Sequence, residues 1–153
     1  MKESRMLKQI HFLLTYKCTS ECDHCFVYSS PEAKGVFTLS GLKNIFSEIK
    51  RIPTVDTVYF EGGEAFLYYP LLLDGIRRAR RQGLKSGVVT NAYWANSVED
   101  AILWLRPFVR LGIADLSISD DEFHRNTEVE NRAEFALAAA QELGLPAATI
   151  RIE

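Results

Sequence analysis

Residues 57–89 read TVYFEGGEAFLYYPLLLDGIRRARRQGLKSGVV, a pattern that predicts a strand, a helix and a second strand. Thr57–Phe60 is a short β-branched and aromatic run, which is typical of a buried strand. A helix is predicted over Pro70–Gln82, because Pro is favoured at a first helical position and Gly83 can form the left-handed cap. Lys85–Val89 is predicted to be the next strand. Two strands joined by a helix pair in parallel, so the stretch predicts a βαβ unit.

The same alternation of short apolar runs and amphipathic segments extends along the rest of the chain. Further strands are predicted at 9–14, 114–119 and 147–152, and further helices at 42–49 (stopped by Pro53), 97–105 (before Pro107) and 131–143 (closed by Gly144). This order predicts an α/β fold, a partial barrel of parallel strands with about five strands present. No linker marks a second domain, so residues 1–153 are expected to form a single domain. Because the last strand would leave an apolar edge unpaired, a C-terminal part of the barrel is expected to be missing.

The composition is that of an ordinary soluble globular protein. The chain has 153 residues, 47% of them hydrophobic, and its 18 Lys and Arg against 20 Asp and Glu give a net charge of -2. This balance gives no sign of binding to nucleic acid or to an anionic membrane surface, since both favour a basic excess. The longest uncharged stretch, Ser86–Val98, is too short and too polar to cross a bilayer. The N-terminus has no secretory signal, so the expected location is the cytoplasm.

The three cysteines are crowded into one short segment. Cys18, Cys22 and Cys25 have the spacing Cys-x3-Cys-x2-Cys and follow the first predicted strand directly. An odd number of Cys so close together indicates a metal site rather than a disulfide framework. Three thiolates can hold three irons of a four-iron cubane, which leaves the fourth iron open to another ligand. A structural zinc site in which His24 joins the thiolates is the alternative, but adjacent His24 and Cys25 fit one tetrahedral ion poorly.

These cysteines and a second motif resemble the radical S-adenosylmethionine (radical SAM) superfamily. Its signature is this Cys spacing with an aromatic residue before the third Cys, a position that His24 fills here. Glu61-Gly62-Gly63-Glu64, at the end of the second predicted strand, resembles the Gly-Gly-Glu motif that binds the amino group of the methionine moiety. Paired glycines allow a close approach of the backbone to a ligand, and a carboxylate suits an ammonium group.

The resemblance implies a partial six-stranded barrel that carries a [4Fe–4S] cluster and S-adenosylmethionine. Cys18, Cys22 and Cys25 would hold the cluster. The cofactor-binding positions would be Gly62, Gly63, Glu64, His24, Asn91, Ser117 and Ser119. Asn91 belongs to a Thr-Asn pair found in many members, although Ala92 replaces the Gly that usually follows. The two serines correspond to polar groups that face the methionine carboxylate or the ribose.

The implied activity is reductive cleavage of S-adenosylmethionine to a 5′-deoxyadenosyl radical, which abstracts hydrogen from a substrate. A reducing partner such as a flavodoxin or ferredoxin would supply the electron. The sequence does not identify the substrate. The alternative is a truncated, non-catalytic fragment that binds an iron–sulfur cluster or zinc.

Two other groups of residues have simpler interpretations. The aromatic residues after the second and third strands, Tyr68, Tyr69, Tyr93 and Trp94, are expected to pack as core or rim. The basic run at 77–85 is expected to be the solvated face of a helix, and His124 a polar surface residue.

Overall fold

The structure is a computed structural model of the chain that describes residues 6–15, 17, 35–120 and 131–150. Its strands are β1 (Gln9–Leu13), β2 (Thr57–Glu61), β3 (Lys85–Thr90), β4 (Asp115–Ser119) and β5 (Ala147–Ile150). Its helices are α1 (Leu39–Ile49), α2 (Tyr69–Arg81), α3 (Val98–Leu111) and α4 (Arg132–Glu142), with a 3₁₀ turn (Ala65–Tyr68) before α2. The predicted alternation of strands and helices is confirmed, whereas the 3₁₀ turn was not predicted.

The strands of the described residues form one parallel sheet in the order β1-β2-β3-β4-β5. Each helix packs against its neighbour along the chain, α1 on α2, α2 on α3 and α3 on α4. A sequential strand order with adjoining helices is the arrangement of an α/β barrel, since a doubly wound sheet reverses its order at a switch point. The sheet is therefore a barrel segment of five parallel strands, as predicted.

One face of the sheet forms the hydrophobic core beneath the helices. The buried strand residues on this face are Phe12, Val58, Phe60, Val88, Leu116 and Ile118. They alternate along the strands with residues that point to the opposite face. Helix α2 packs tightly on the sheet at Gly75, where an added Cβ would lie 2.5 Å from Cε1 of Phe60. The opposite face is the concave interior of the barrel segment, and it carries more polar side chains.

Helix α3 is longer than the sequence predicts. Pro107 was expected to end it, but the helix continues through Pro107 to Leu111, and Gly112 with φ +70° forms the left-handed cap. Proline cannot donate to the carbonyl four residues earlier, here that of Leu103. Leu103 is 64% exposed, so the turn that loses this hydrogen bond lies on the solvent side of α3. The free energy lost with this one helical hydrogen bond is therefore small enough for the packing of α3 against its neighbouring helices to outweigh it.

The simpler interpretations of the aromatic and basic residues agree with the structure. Trp94 is fully buried, with its ring centroid 4.6 Å from that of Phe66, while Tyr69 and Tyr93 are half-buried beside it. Most of the basic run on α2 is exposed, and Arg78 forms an ion pair of 2.6 Å with Asp74. Within the described residues, none of the helices combines the length and the apolar character needed to span a membrane.

Candidate cofactor site

The Gly-Gly-Glu loop after β2 is hydrogen-bonded to the segment that follows β1. The backbone amide of Gly63 donates to the carbonyl of Thr15 over 2.7 Å, and the amide of Glu64 donates to the carbonyl of Lys17 over 2.9 Å. Lys17 directly precedes Cys18. The structure therefore joins the last described residues before the cysteine segment to a loop more than 40 residues later in the chain.

Gly62 allows this close approach of the two backbones. Its φ is +134°, a conformation that residues with a side chain rarely adopt. A Cβ at this position would also lie 2.5 Å from the carbonyl oxygen of Thr15. The requirement for glycine is therefore both conformational and steric.

The carboxylate of Glu64 faces into the protein, and only 1% of the residue is exposed. One oxygen, Oε1, accepts hydrogen bonds from the amide of Phe66 over 3.1 Å and from the hydroxyl of Thr90 over 2.7 Å. The other, Oε2, accepts from the amide of Asn91 over 2.7 Å. Burial raises the pKa of Glu64 to about 7, although these hydrogen bonds favour the charged form. Glu64 therefore ties the loop after β2 to the end of β3.

Thr90 completes this buried hydrogen-bond network. Besides donating to Glu64, its hydroxyl accepts from the amide of Ala92 over 3.1 Å and from Nε1 of Trp94 over 3.0 Å. Ala92 has φ +59°, in the left-handed region that favours glycine. The side-chain oxygen of Asn91 accepts from the amide of Tyr93 over 3.0 Å, so Asn91 caps the turn after β3.

The two candidate serines lie on the concave face of β4. They alternate with the buried residues Leu116 and Ile118, and both are half-buried. The hydroxyl of Ser117 donates to Oδ2 of Asp115 over 2.7 Å. Ser119 lies at the end of β4, at the same edge of the sheet as Gly62 and Asn91. The structure therefore brings Gly62, Gly63, Glu64 and Asn91 together and places Ser117 and Ser119 on the neighbouring strand.

The cysteine motif itself lies outside the described residues. This applies to Cys18, Cys22 and Cys25, to the neighbouring His24, and to His124 in another part of the chain. Their roles stay predictions from the sequence. The described residue nearest to them along the chain is Lys17, whose carbonyl accepts the hydrogen bond from Glu64.

The half-buried glycines of the Gly-Gly-Glu loop have backbone chemistry suited to an amino group. Within the described residues, the carbonyl oxygens of Gly62 and Gly63 accept no hydrogen bond, whereas their neighbours Glu61 and Glu64 each accept one from a backbone amide. Free carbonyl oxygens are suitable acceptors for an ammonium group. The loop therefore fits the methionine end of S-adenosylmethionine through its backbone, with the Glu64 side chain occupied inside the protein.

Sequence reasoning missed several residues of the concave face. His11, Tyr59, Glu61 and Asp115 face the barrel interior and contact one another. The sequence does indicate these positions through the alternation of apolar and polar residues within β2 and β4, because alternate residues of a strand lie on the same face of the sheet. Apart from Glu61, which directly precedes the Gly-Gly-Glu motif, no motif marked these positions, because the contacts join three separate strands.

Comparison with known proteins supports the superfamily suggested by the motifs. The family model described as the radical SAM superfamily matches residues 12–152. YydG of Bacillus subtilis (strain 168), named for peptide biosynthesis, is 26% identical over 117 residues, which are 76% of this chain and 37% of that protein. The tungsten-containing aldehyde ferredoxin oxidoreductase cofactor-modifying protein of Pyrococcus furiosus is 22% identical over 85 residues, 56% of this chain and 24% of that protein.

Among solved structures, BtrN in complex with AdoMet and 2-DOIA has the same fold. Its TM-score is 0.70 at 13% sequence identity, and the similarity covers 96% of this chain and 57% of that one. The chain spans well under half the length of the two curated relatives. Because the family model covers nearly all of its 153 residues, the chain belongs to the radical SAM superfamily.

Proposed function

We propose that the protein is an iron–sulfur enzyme that reductively cleaves S-adenosylmethionine and abstracts a hydrogen atom from a substrate. One observation supports this proposal: the Glu64 amide donates a hydrogen bond to the carbonyl of Lys17, the residue that directly precedes Cys18 in the sequence. These two motifs are far apart in the sequence, and the proposed chemistry requires them to act on one cofactor.

Cys18, Cys22 and Cys25 would hold the [4Fe–4S] cluster through their thiolates. The bound cluster would supply the electron that splits S-adenosylmethionine into methionine and a 5′-deoxyadenosyl radical. The chain's own contribution is to bind and orient. The carbonyls of Gly62 and Gly63, for which the described part of the chain supplies no donor, would accept the methionine ammonium, and the buried Glu64 side chain would hold their loop in place.

The remaining candidate positions would complete the cofactor contacts. Asn91 follows β3 and is fixed by its amide bond to Glu64, while Ser117 and Ser119 line the adjoining strand. We assign these three to the carboxylate and ribose of S-adenosylmethionine, and His24 to the neighbourhood of the cluster. A flavodoxin or ferredoxin as reductant, a cytoplasmic location and a single domain over residues 1–153 stay predictions.

A peptide is the substrate class that we favour. YydG, named for peptide biosynthesis, matches more of this chain than does the cofactor-modifying protein of Pyrococcus furiosus. The part of the chain that would face a substrate, the concave face of β1–β4, has polar side chains suited to hydrogen bonding with a peptide.

The test is cleavage of S-adenosylmethionine by anaerobically reconstituted protein. With dithionite as reductant, the protein should be brown and should release 5′-deoxyadenosine. Replacing Cys22 with Ala should abolish the product, whereas Ser20→Ala, in the same segment but without a thiolate, should retain it. Turnover by the Cys22→Ala variant would refute the cluster assignment, and a colourless protein that contains zinc would refute the proposed chemistry.

A second measurement separates an enzyme from a fragment that merely binds a cluster. Addition of S-adenosylmethionine should change the paramagnetic resonance spectrum of the reduced cluster, since only a competent site presents an open iron to the cofactor. An unchanged spectrum in an iron-loaded protein would favour the non-catalytic alternative.

A further inference from the structure

A groove lies between the C-terminal ends of α1 and α2, at the end of the sheet opposite to the candidate cofactor site. Its lining residues belong to the last turns of these helices and to the loops that lead into β2 and β3, within 49–55 and 78–84. Because the strands are parallel, residues that precede β2 and β3 lie a strand's length, about 15 Å, from the loops that follow them. A ligand in this groove would therefore be remote from the cofactor.

The groove combines aliphatic and basic side chains. Its volume is about 460 Å³, within the range of roughly 300–1,000 Å³ that is usual for ligand pockets. The aliphatic lining residues are Ile49, Ile52, Pro53, Val55 and Leu84. None of the lining residues is acidic or aromatic. The groove is therefore suited to an aliphatic group that carries negative charge beside it.

Two of the cations that line the groove have no acidic partner. Lys50 and Arg81 are exposed, and within the described residues neither of them forms an ion pair. The third cation, Arg78, is held by Asp74 over 2.6 Å. Lys50 and Arg81 are therefore available to the carboxylates of a ligand.

The carbonyl groups at the two helix ends do not offset these charges. Carbonyls at a helix C-terminus carry partial negative charge and attract cations when they are unsatisfied. Here the carbonyl of Phe46 accepts from the amide of Lys50 over 3.3 Å and from Nε2 of Gln82 over 3.2 Å. The carbonyl of Ala79 accepts from the amides of Gln82 and Leu84 over 3.1 and 2.9 Å. These acceptors are used within the protein, which favours a ligand that brings acceptors of its own.

The basic character continues along both helices beside the groove. Lys43 and Lys50 are seven residues apart on α1 and its cap, and Arg77 and Arg81 are four residues apart on α2. These spacings place each pair on one helix face, and all four residues are exposed. The whole chain has a net charge of -2, so this concentration of cations is local. An extended acidic segment would contact both helices while one apolar side chain enters the groove.

We propose that the groove is a docking site for an acidic segment of a partner protein, with its carboxylates beside Lys50 and Arg81 and one aliphatic side chain inside. Charge complementarity selects this occupant. A nucleic acid fits less well, because the groove offers no aromatic ring on which a base would stack. The inference goes beyond the proposed function, since it concerns the opposite end of the sheet.

The test is binding of labelled peptides to the full chain, measured by fluorescence anisotropy. The probe is a capped pentapeptide of four glutamates around a central leucine. Replacing the glutamates with glutamines, or the leucine with serine, should each weaken binding about tenfold. The difference between the glutamate and glutamine peptides should shrink as salt is added. This comparison uses the unaltered protein and so does not depend on the folding of any variant.

Variants then locate the site. Lys50→Gln and Arg81→Gln should each lower the affinity for the glutamate peptide about threefold and leave that for the glutamine peptide unchanged. The matched control is Arg106→Gln, which removes an exposed cation of α3, and it should change neither affinity.

Four results would overturn the proposal. They are equal affinities for the glutamate and glutamine peptides, a glutamate preference that survives the double variant at Lys50 and Arg81, tighter binding of single-stranded RNA than of the glutamate peptide, and self-association of the protein that the double variant abolishes. The last would identify a second copy of the chain as the occupant. Cleavage of S-adenosylmethionine is measured separately, so each of these results leaves the proposed function unaffected.

Discussion

Replacing Thr90 with Val tests the buried network beneath the Gly-Gly-Glu loop. The valine is nearly isosteric, but it removes a hydroxyl that donates to Glu64 and accepts from Ala92 and Trp94. Thr90, Glu64 and Trp94 are all nearly inaccessible to water, so the separated partners cannot be satisfied by solvent. At about 1 kcal/mol for each buried hydrogen bond lost, the free energy of unfolding should fall by about 3 kcal/mol.

The measurement is urea unfolding of Thr90→Val beside Thr90→Ser. Serine keeps the hydroxyl and removes one methyl group, which should cost about 1 kcal/mol. A domain of this size has about 5–15 kcal/mol of stability, so both variants should fold and the difference between them should be measurable. If valine destabilised the protein no more than serine, the hydroxyl would not be the centre of the network and the reasoning would fail.

Three other perturbations test separate features. Gly87→Ala should lower the free energy of unfolding by about 1–3 kcal/mol, because its Cβ meets the Tyr59 ring, and the loss should largely disappear in a Tyr59→Ala background. Ala92→Gly should change the same quantity by less than about 1 kcal/mol, because release of the φ +59° strain offsets the loss of a fully buried methyl group, and a loss above about 2 kcal/mol would contradict this. Because burial raises the pKa of Glu64 to about 7, its contribution to stability is present below about pH 4.5 and is lost as the pH rises through 7. Urea titrations should therefore show that the free energy of unfolding of the protein, relative to that of Glu64→Gln, decreases from about pH 4.5 to pH 7 and above. An increase over this range would refute a raised pKa of Glu64.

The elements could be predicted from the sequence because each leaves a local pattern. Apolar spacing identified α2, and Gly83 with φ +73° ends it as expected. Pro107 does not end α3 as expected, since helix propensity does not show that the turn it disrupts lies on the solvent side. The 3₁₀ turn at 65–68 has no pattern long enough to recognise.

The candidate site could be predicted only in part. The Gly-Gly-Glu motif was found from its position after a strand, but its glutamate was expected to offer a carboxylate to an ammonium group. In the structure that carboxylate is enclosed by Thr90, Asn91 and Phe66. The direction in which a side chain points depends on its neighbours across the sheet, and these are distant in the sequence.

The alternation of strands and helices, the parallel sheet and the superfamily motifs follow from local patterns, because periodicity, capping and short spacings are properties of neighbouring residues. The folded chain was needed to show which backbone the Gly-Gly-Glu loop joins, where Glu64 points and which polar side chains meet on the concave face. Those contacts connect residues from different strands, and strand register alone brings their atoms within hydrogen-bonding distance.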